Sequence, residues 1–242
     1  MNNNCAIVVA GGKGTRMKKS VNKLFLCLDN KPILAHTLEA FQKNKSIFSI
    51  ILVASEDEIE YCQKEIVLKY SISKVKKIVS GGNLRQQSVL NGLKAIGIED
   101  DCNIVLIHDG ARPFIDDRII EDGIKYANLY GASACGVEPK DTVKIRDNSG
   151  FSKYTPKRSE LFCVQTPQCF KLDIILKAHE NIIKKDVIVT DDTSVAELYG
   201  SKVFLYQGSY SNIKITTPDD LILGEKILDS LIIDSNKCVN KE

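Results

Sequence analysis

The stretch Ala6-Ile7-Val8-Val9-Ala10-Gly11-Gly12-Lys13-Gly14-Thr15-Arg16-Met17 decides the predicted fold of this chain. Its apolar run is too short for a core helix and suits a buried strand. Three glycines follow the run, and glycine lets the backbone turn its N–H groups inward. The stretch therefore predicts a strand that ends in a concave anion-binding loop.

Two familiar phosphate loops do not match this glycine loop. A P-loop requires Gly-Lys-Ser/Thr after a glycine and four further residues, and the dinucleotide fingerprint requires a third glycine where Met17 stands. The flanking cations Lys13, Arg16 and Lys23 suit a triphosphate better than a single phosphate. The alternative is an ordinary Gly-rich turn with solvated basic side chains.

Composition excludes several classes of protein. The 242 residues include 33 basic and 31 acidic side chains, with no long basic stripe, so we expect no nucleic-acid partner. No apolar stretch reaches the roughly 18 residues of a membrane span, so we expect no membrane partner. We predict a single domain over residues 1–242.

The cysteines and the N-terminus favour a cytoplasmic protein. The eight cysteines include no Cys-x-x-Cys pair, and several sit in apolar runs as reduced thiols would. Met1 is followed almost at once by the first predicted strand, which leaves no room for a signal peptide. The cysteines are Cys5, Cys27, Cys62, Cys102, Cys135, Cys163, Cys169 and Cys238.

Apolar runs alternate with helical patterns along the chain. This alternation is typical of βαβ units, so we predict an α/β fold, a Rossmann-like, mostly parallel sheet flanked by helices. The predicted strands are 5–10, 50–54, 104–108, 132–137 and 202–206. The predicted helices are 33–43, 57–70, 85–97, 117–130, 171–185, 191–199 and 218–232.

Residues 140–158 interrupt this alternation. Thr142-Val143-Lys144-Ile145 and Phe151-Ser152-Lys153-Tyr154 alternate in polarity around the turn Asp147-Asn148-Ser149-Gly150. We predict a β-hairpin outside the main sheet, a projecting arm that packs on a second subunit. A surface hairpin with no such contact is the alternative.

Candidate site residues follow the predicted strands, because ligands of α/β sheets bind beyond the carboxyl ends of the strands. Asp109 directly follows the predicted strand 104–108, where a carboxylate can hold Mg²⁺ against phosphate oxygens. The alternative is an aspartate that only caps a turn. We expect His108 to be buried rather than a catalytic base.

Two further segments have polar residues suited to a ligand. Gly81 and Gly82 precede a helix with Ser88 one turn inside it, which suits recognition of a base edge or ribose. Lys214 is predicted in a strand between Ile213 and Ile215, where its ammonium needs an anion unless the strand is half exposed. Thr190-Asp191-Asp192 can cap a helix and do nothing more.

Seven stretches, spread over nearly the whole chain, together resemble one family in its own motif order. They are Ala10-Gly11-Gly12-Lys13-Gly14-Thr15-Arg16-Met17, Gly81-Gly82-Asn83-Leu84-Arg85-Gln86-Gln87-Ser88-Val89, His108-Asp109-Gly110-Ala111-Arg112-Pro113, Asp141-Thr142-Val143-Lys144, Gln165-Thr166-Pro167-Gln168-Cys169-Phe170, Thr190-Asp191-Asp192 and Asn212-Ile213-Lys214-Ile215-Thr216. The family that they resemble is 2-C-methyl-D-erythritol 4-phosphate cytidylyltransferase.

The resemblance implies a homodimer and Mg²⁺-dependent transfer of CMP from CTP to methylerythritol phosphate, with release of pyrophosphate. It implies catalytic roles for Arg16, Lys23 and Lys214, and it makes Asp109 the metal ligand. The CTP-binding residues that it implies are Ala10, Gly11, Gly12, Gly14, Gly82, Ser88 and Asp109. The acceptor-binding residues are Arg112, Thr142, Arg158, Thr166 and Thr190, with Thr142 and Arg158 supplied by the partner's arm.

Two alternatives remain open at this point. A ribitol 5-phosphate cytidylyltransferase would share the same core and differ in its polyol phosphate. A nucleotide-binding protein without turnover would bind CTP and release no pyrophosphate. Substrate profiling separates both from the first reading.

Overall fold

Strands and helices alternate along the chain as predicted. The computed structural model describes residues 3–11, 22–97, 101–185 and 187–239, with no account of side chains beyond residue 231. The strands are β1 (Asn3–Val9), β2 (Cys27–Leu28), β3 (Lys31–Pro32), β4 (Ile47–Ala54), β5 (Val75–Ser80), β6 (Cys102–Asp109), β7 (Ala132–Val137), β8 (Ile145–Arg146), β9 (Ser152–Tyr154), β10 (Cys163–Lys171) and β11 (Phe204–Gln207).

All seven predicted helices form; most ends differ from the prediction by a few residues, and the last helix ends seven residues later than predicted. They are α1 (Ile33–Lys43), α2 (Ile59–Tyr61, continued by a π-helical stretch Cys62–Leu68), α3 (Arg85–Lys94), α4 (Asp117–Tyr130), α5 (Leu172–Lys184), α6 (Asp192–Leu198) and α7 (Pro218–Val239). Short 3₁₀ turns occupy Lys23–Phe25, Glu56–Glu58 and Arg158–Glu160.

The main sheet has seven strands in the order β11-β7-β10-β6-β1-β4-β5. β1 pairs in parallel with both β4 and β6, and β10 is antiparallel to β6 and β7. The predicted Rossmann-like, mostly parallel α/β sheet is therefore confirmed. After β1 the chain forms β4 and β5 on one side of β1, and then crosses to form β6 on the opposite side of β1. Ligands of such sheets bind where the strand order reverses, so a ligand crevice is expected at the carboxyl ends of β1 and β6.

Both faces of the sheet are buried. Ala6 and Val8 of β1 belong to one apolar cluster, and Cys5 and Ile7 belong to a second cluster on the opposite face. Side chains alternate across a strand, so this division requires helices on both faces of the sheet.

The predictions missed two sheet strands, β5 and β10. β10 contains Pro167 and the polar residues Gln165, Thr166 and Gln168, and proline within a run argues against a strand. β5 has a mixed polar composition because it lies at the sheet edge. Both strands form because neighbouring strands supply their hydrogen-bond partners.

The predicted hairpin is confirmed as a separate two-stranded sheet of β8 and β9. Its turn contains Gly150 at φ +90°, and the Asp147 carboxylate accepts hydrogen bonds from the Ser149 and Phe151 amides. The structure holds one chain, so the packing of this arm on a second subunit stays a prediction.

No helix in the described ranges is long and apolar enough to cross a membrane. The seven cysteines whose side chains are described form no disulfide.

Candidate active site

A cavity of about 900 Å³ opens at the carboxyl ends of β1 and β6. This volume falls within the range of small-molecule sites. Seven of the predicted site residues line it: Ala10, Gly11, Lys23, Gly82, Ser88, Asp109 and Lys214. The predicted residues Gly12, Gly14 and Arg16 lie outside the described ranges.

Asp109, the last residue of β6, is surrounded by three cations. Its carboxylate lies 2.8 Å from Lys214 Nζ, 3.6 Å from Arg85 Nε and 3.8 Å from Arg112 Nε. Asp192 also pairs with Arg85, so the cluster holds three cations and two carboxylates, and its one excess positive charge attracts an anionic ligand.

The charge of Asp109 is set by these neighbours. Burial by itself would raise its pKa, but the Lys214 and Arg85 cations outweigh burial and hold the pKa of Asp109 well below its usual range. Asp109 is therefore an ionised carboxylate that can accept hydrogen bonds or bind a cation.

Lys214 does not lie in a strand, and that prediction was wrong. It sits in an irregular segment between β11 and α7, so no strand ladder holds it. Two contacts with the loop after β6 hold this segment: Ile215 N donates to the Ala111 carbonyl at 2.9 Å, and Arg112 Nη1 donates to the Asn212 carbonyl at 2.7 Å. These contacts bring the lysine to Asp109.

His108 is fully buried, as predicted, and it supports Asp109 from behind. His108 Nε2 faces the Arg112 carbonyl at 3.0 Å and must donate to it, so Nδ1 accepts from the Thr166 hydroxyl at 3.1 Å. Thr166 Oγ1 in turn accepts from the Asp109 main-chain N–H at 3.1 Å. Thr166 is buried and does not line the cavity, so its contacts position Asp109.

The glycine turn before α3 packs tightly against the first turn of that helix. Gly82 N donates to Ser88 Oγ at 3.0 Å, and the Ser88 hydroxyl donates to the Leu84 carbonyl at 3.2 Å. A Cβ at Gly82 would lie 2.5 Å from Gln87 Cβ, which leaves no room for a side chain. The cavity wall here is therefore backbone, as close recognition of a base requires.

Lys23 reaches the cavity from the 3₁₀ turn Lys23–Phe25. Leu24 is buried in the core, and the Phe25 ring packs 4.5 Å from the Tyr61 ring. Glu56 and Asp57 line the same cavity. The turn thus places one cation at the cavity.

Comparison with known proteins identifies the group to which this arrangement belongs. A family model described as IspD, 2-C-methyl-D-erythritol 4-phosphate cytidylyltransferase, matches residues 4–230. The chain belongs to the 2-C-methyl-D-erythritol 4-phosphate cytidylyltransferase family.

Individual members of the cytidylyltransferase family agree over almost the full chain. The enzyme so named from Clostridium novyi is 61% identical over 231 residues, which cover 96% of this chain and 99% of that protein. The one from Clostridium acetobutylicum is 60% identical over 225 residues, which cover 93% of this chain and 97% of that protein. These relatives support methylerythritol phosphate cytidylyltransferase activity and do not favour the ribitol alternative.

A solved structure agrees as well. The 4-diphosphocytidyl-2C-methyl-D-erythritol synthase of Anaerococcus prevotii has a TM-score of 0.83 and 33% identity, covering 94% of this chain and 96% of that one. The predicted resemblance to the family is confirmed.

The acceptor residues predicted from the cytidylyltransferase resemblance are not gathered in the large cavity. Thr142 and Arg158 line a second cavity of about 210 Å³ at the base of the arm. Arg112 is mostly buried between Asp109 and Asn212, and Thr190 is exposed beside α6. Within one chain, Thr142 and Arg158 are thus together but apart from Lys23 and Lys214.

The predictions did not assign a role to Arg85, which lines the cavity. Its Nη2 lies 2.7 Å from Asp192 Oδ2, and His179 Nε2 lies 3.1 Å from Asp192 Oδ1. Burial raises the pKa of Asp192, but Arg85 and then His179 outweigh it and lower that pKa. Arg85 therefore lies between two carboxylates, that of Asp109 at the cavity and that of Asp192 in the core.

Asp191 caps α6, as predicted, by accepting from the Ser194 amide at 3.1 Å. Gln168 Oε1 accepts from the Asp192 and Thr193 amides and holds the same helix start against β10. Asp192 does more than cap, because its side chain is 1% exposed and pairs with Arg85. The only sequence signal for this pair was an arginine just after the glycine turn.

Proposed function

We propose that this chain transfers CMP from CTP to 2-C-methyl-D-erythritol 4-phosphate and releases pyrophosphate, with the large cavity as its CTP site. The observation that carries this assignment is the ionised Asp109 surrounded by Lys214, Arg85 and Arg112 in a nucleotide-sized cavity. Excess positive charge at that point suits the α-phosphate of a nucleotide.

The reaction needs no side-chain base. A phosphate oxygen of the acceptor, anionic at neutral pH, attacks the α-phosphorus, and the bond from that phosphorus to the bridging oxygen breaks to free pyrophosphate. Catalysis then consists of positioning and electrostatic stabilisation of developing charge. Arg16, Lys23 and Lys214 are the cations assigned to that task.

Lys214 is suited to exchange partners when CTP binds. Its side chain is 41% exposed, against 12% for Asp109, so the ammonium can turn while the carboxylate stays in place. In the proposed complex, Lys214 contacts the α-phosphate and leaves one Asp109 oxygen free.

The residues present fit a Mg²⁺ ion that arrives with the triphosphate. No group of three metal-binding side chains exists in the described ranges, but Mg²⁺ on a nucleotide needs only one or two protein carboxylates. Asp109 supplies one ionised carboxylate facing the cavity. When bound, Mg²⁺ would neutralise charge on the phosphate oxygens.

The base-recognition part of the site is assigned to the glycine turn. Backbone groups near Gly81 and Gly82 can accept a hydrogen bond from the cytosine amino group, where uracil presents an oxygen. A site built for that donor leaves a polar group unpaired with uracil, so it discriminates strongly between the bases.

The acceptor site is assigned to two chains of a homodimer. The arm exposes apolar side chains, among them Phe151 at 74% and Tyr154 at 55%, and this surface suits burial against a second subunit. The arm of one chain would bring its Thr142 and Arg158 to the partner's large cavity, with Arg112, Thr166 and Thr190 on the receiving side. We also place the enzyme in the cytoplasm, in keeping with cysteines that form no disulfide in the described part of the chain.

Pyrophosphate release tests this proposal directly. Purified protein with Mg²⁺ would be assayed with each of the four NTPs against methylerythritol phosphate and ribitol 5-phosphate. We expect turnover with CTP and methylerythritol phosphate and a large loss with UTP. Equal turnover with UTP contradicts the base assignment, preference for ribitol 5-phosphate contradicts the acceptor, and CTP binding without pyrophosphate release contradicts catalysis.

A further inference from the structure

Asn22, which immediately precedes Lys23, has two different hydrogen-bonded partners. Its Oδ1 accepts from the Leu24 amide at 3.1 Å, which caps the 3₁₀ turn locally. Its Nδ2 donates to Glu58 Oε2 at 2.9 Å, a partner far along the chain. The first contact shapes the turn, and the second sets where the turn lies.

Glu58 is well placed to serve as an anchor. It is half-buried at the end of the 3₁₀ turn Glu56–Glu58, which follows β4 directly and leads into α2. Glu56 and Asp57, the other two residues of that turn, line the large cavity. A tether to Glu58 therefore positions Lys23 relative to the cavity wall itself.

Asn22 lies on the side of the turn opposite to its apolar contacts. Leu24 enters the core and Phe25 packs on Tyr61, so both contacts lie on the C-terminal side of Lys23. Asn22 holds the N-terminal side. The turn Lys23–Phe25 is thus held on either side of its lysine, and the Asn22 contact is a hydrogen bond to a charged acceptor, which is stronger than a neutral one.

We infer that Asn22 and Glu58 are positioning residues for Lys23, so that their hydrogen bond determines how well the lysine stabilises the transition state. The inference rests on the proposed catalytic role of Lys23. Catalysis by positioned charge is sensitive to small displacements, and a shift of about 1 Å costs up to roughly 100-fold in rate.

An exchange of donor and acceptor between the two side chains tests this inference. Asn22→Asp keeps the cap on Leu24 but sets two carboxylates against each other, and we expect kcat to fall roughly 10-fold with little change in KM for CTP. In Asn22→Asp with Glu58→Gln, the glutamine amide donates to the new carboxylate. We expect that double variant to recover to within about threefold of the unaltered protein, and Glu58→Gln alone to lose little.

A second cycle asks whether the effect passes through Lys23. In a Lys23→Ala background, measured at high enzyme concentration, Asn22→Asp should have almost no further effect on kcat, because the group that it positions is gone. The matched control is Asn103→Asp. Asn103 makes an exposed amide pair with Asn128 at 2.9 Å, at the opposite end of β6, and its variant should keep full kcat.

The outcomes distinguish a positioning role of the Asn22–Glu58 hydrogen bond from a purely structural role. The inference is overturned by normal kcat in Asn22→Asp, by no recovery in the double variant, or by a full loss that persists in the Lys23→Ala background. A drop in melting temperature with unchanged kcat would show a structural role only, and it also overturns the inference. If the unaltered protein releases no pyrophosphate from CTP, or if Lys23→Ala keeps normal kcat, the proposed function or its assignment of Lys23 fails instead.

Discussion

Lys214 Nζ lies 2.8 Å from Asp109 Oδ2, although the two residues come from an irregular segment and from the end of a central strand. The lysine is partly exposed and the ionised carboxylate is mostly buried, so Asp109 holds the Lys214 ammonium at the cavity. Nucleotide binding would replace the carboxylate with phosphate as the lysine's partner.

The first prediction concerns the catalytic lysines. Lys23→Ala or Lys214→Ala should lower kcat by roughly 100-fold or more, the scale of removing one preorganised charge donor from a transition state. Steady-state pyrophosphate release measures this. Lys226→Ala is the matched control, because Lys226 pairs with Asp229 on the exposed surface of α7, and it should retain normal kcat. Near-normal kcat in either site variant would remove that lysine from the mechanism.

The second prediction concerns the buried pair of Arg85 and Asp192. Arg85→Ala leaves the Asp192 carboxylate without its cation in the core, and we expect a loss of about 3 kcal/mol in the free energy of unfolding. Urea unfolding measures it. Lys64→Ala breaks an exposed pair with Glu60 and should cost under about 1 kcal/mol. Equal losses of unfolding free energy in the two variants would show that the buried pair of Arg85 and Asp192 contributes no more to stability than an exposed pair.

The third prediction concerns the pH dependence of stability. Complete burial lowers the pKa of His108 to about 4, below the value of about 6.5 for an unfolded chain. As the pH falls below about 6.5, the unfolded chain takes up a proton that the folded chain does not. The stability that neutral His108 contributes is therefore complete above that pH and declines progressively towards pH 4.

Melting curves of the unaltered protein and of His108→Gln, taken between about pH 7 and pH 4.5, test this. The unaltered protein should lose several more degrees than the variant, since about 1 kcal/mol shifts the melting temperature by about 2–4 °C at this size. His36→Gln is the comparison, because burial also lowers the pKa of the half-buried His36 but by less than for His108, so this variant should change the pH profile less. Parallel pH profiles for the protein and His108→Gln would count against the prediction.

The fourth prediction concerns the shared acceptor site. Arg158→Ala and Lys23→Ala should each be nearly inactive alone, yet a mixture should regain activity, because a mixed dimer contains one site free of both changes. A guanidinium suits the acceptor phosphate that Arg158 is assigned. Subunit exchange is first shown with two affinity tags. Mixed dimers without recovered activity would mean that Arg158 acts within its own chain or not at all.

The sequence by itself determined the α/β class, the helices and the positions of the main site elements. Apolar periodicity and glycine placement are local properties, and β1, α4 and the turn before α3 follow from them directly. Sequence position also singled out Lys23, Asp109 and Lys214, to which the family resemblance then gave roles, and all three line one cavity.

Only the tertiary structure decided which distant residues meet. β10 became a strand because β6 and β7 offered hydrogen-bond partners to a polar, proline-containing segment. Arg85 meets Asp192, and Asn22 meets Glu58, because the strand order brings α3 to α6 and the turn after β4 to the Lys23 turn. Local periodicity carries no information about such pairs, since their energy comes from burial and charge in a folded environment.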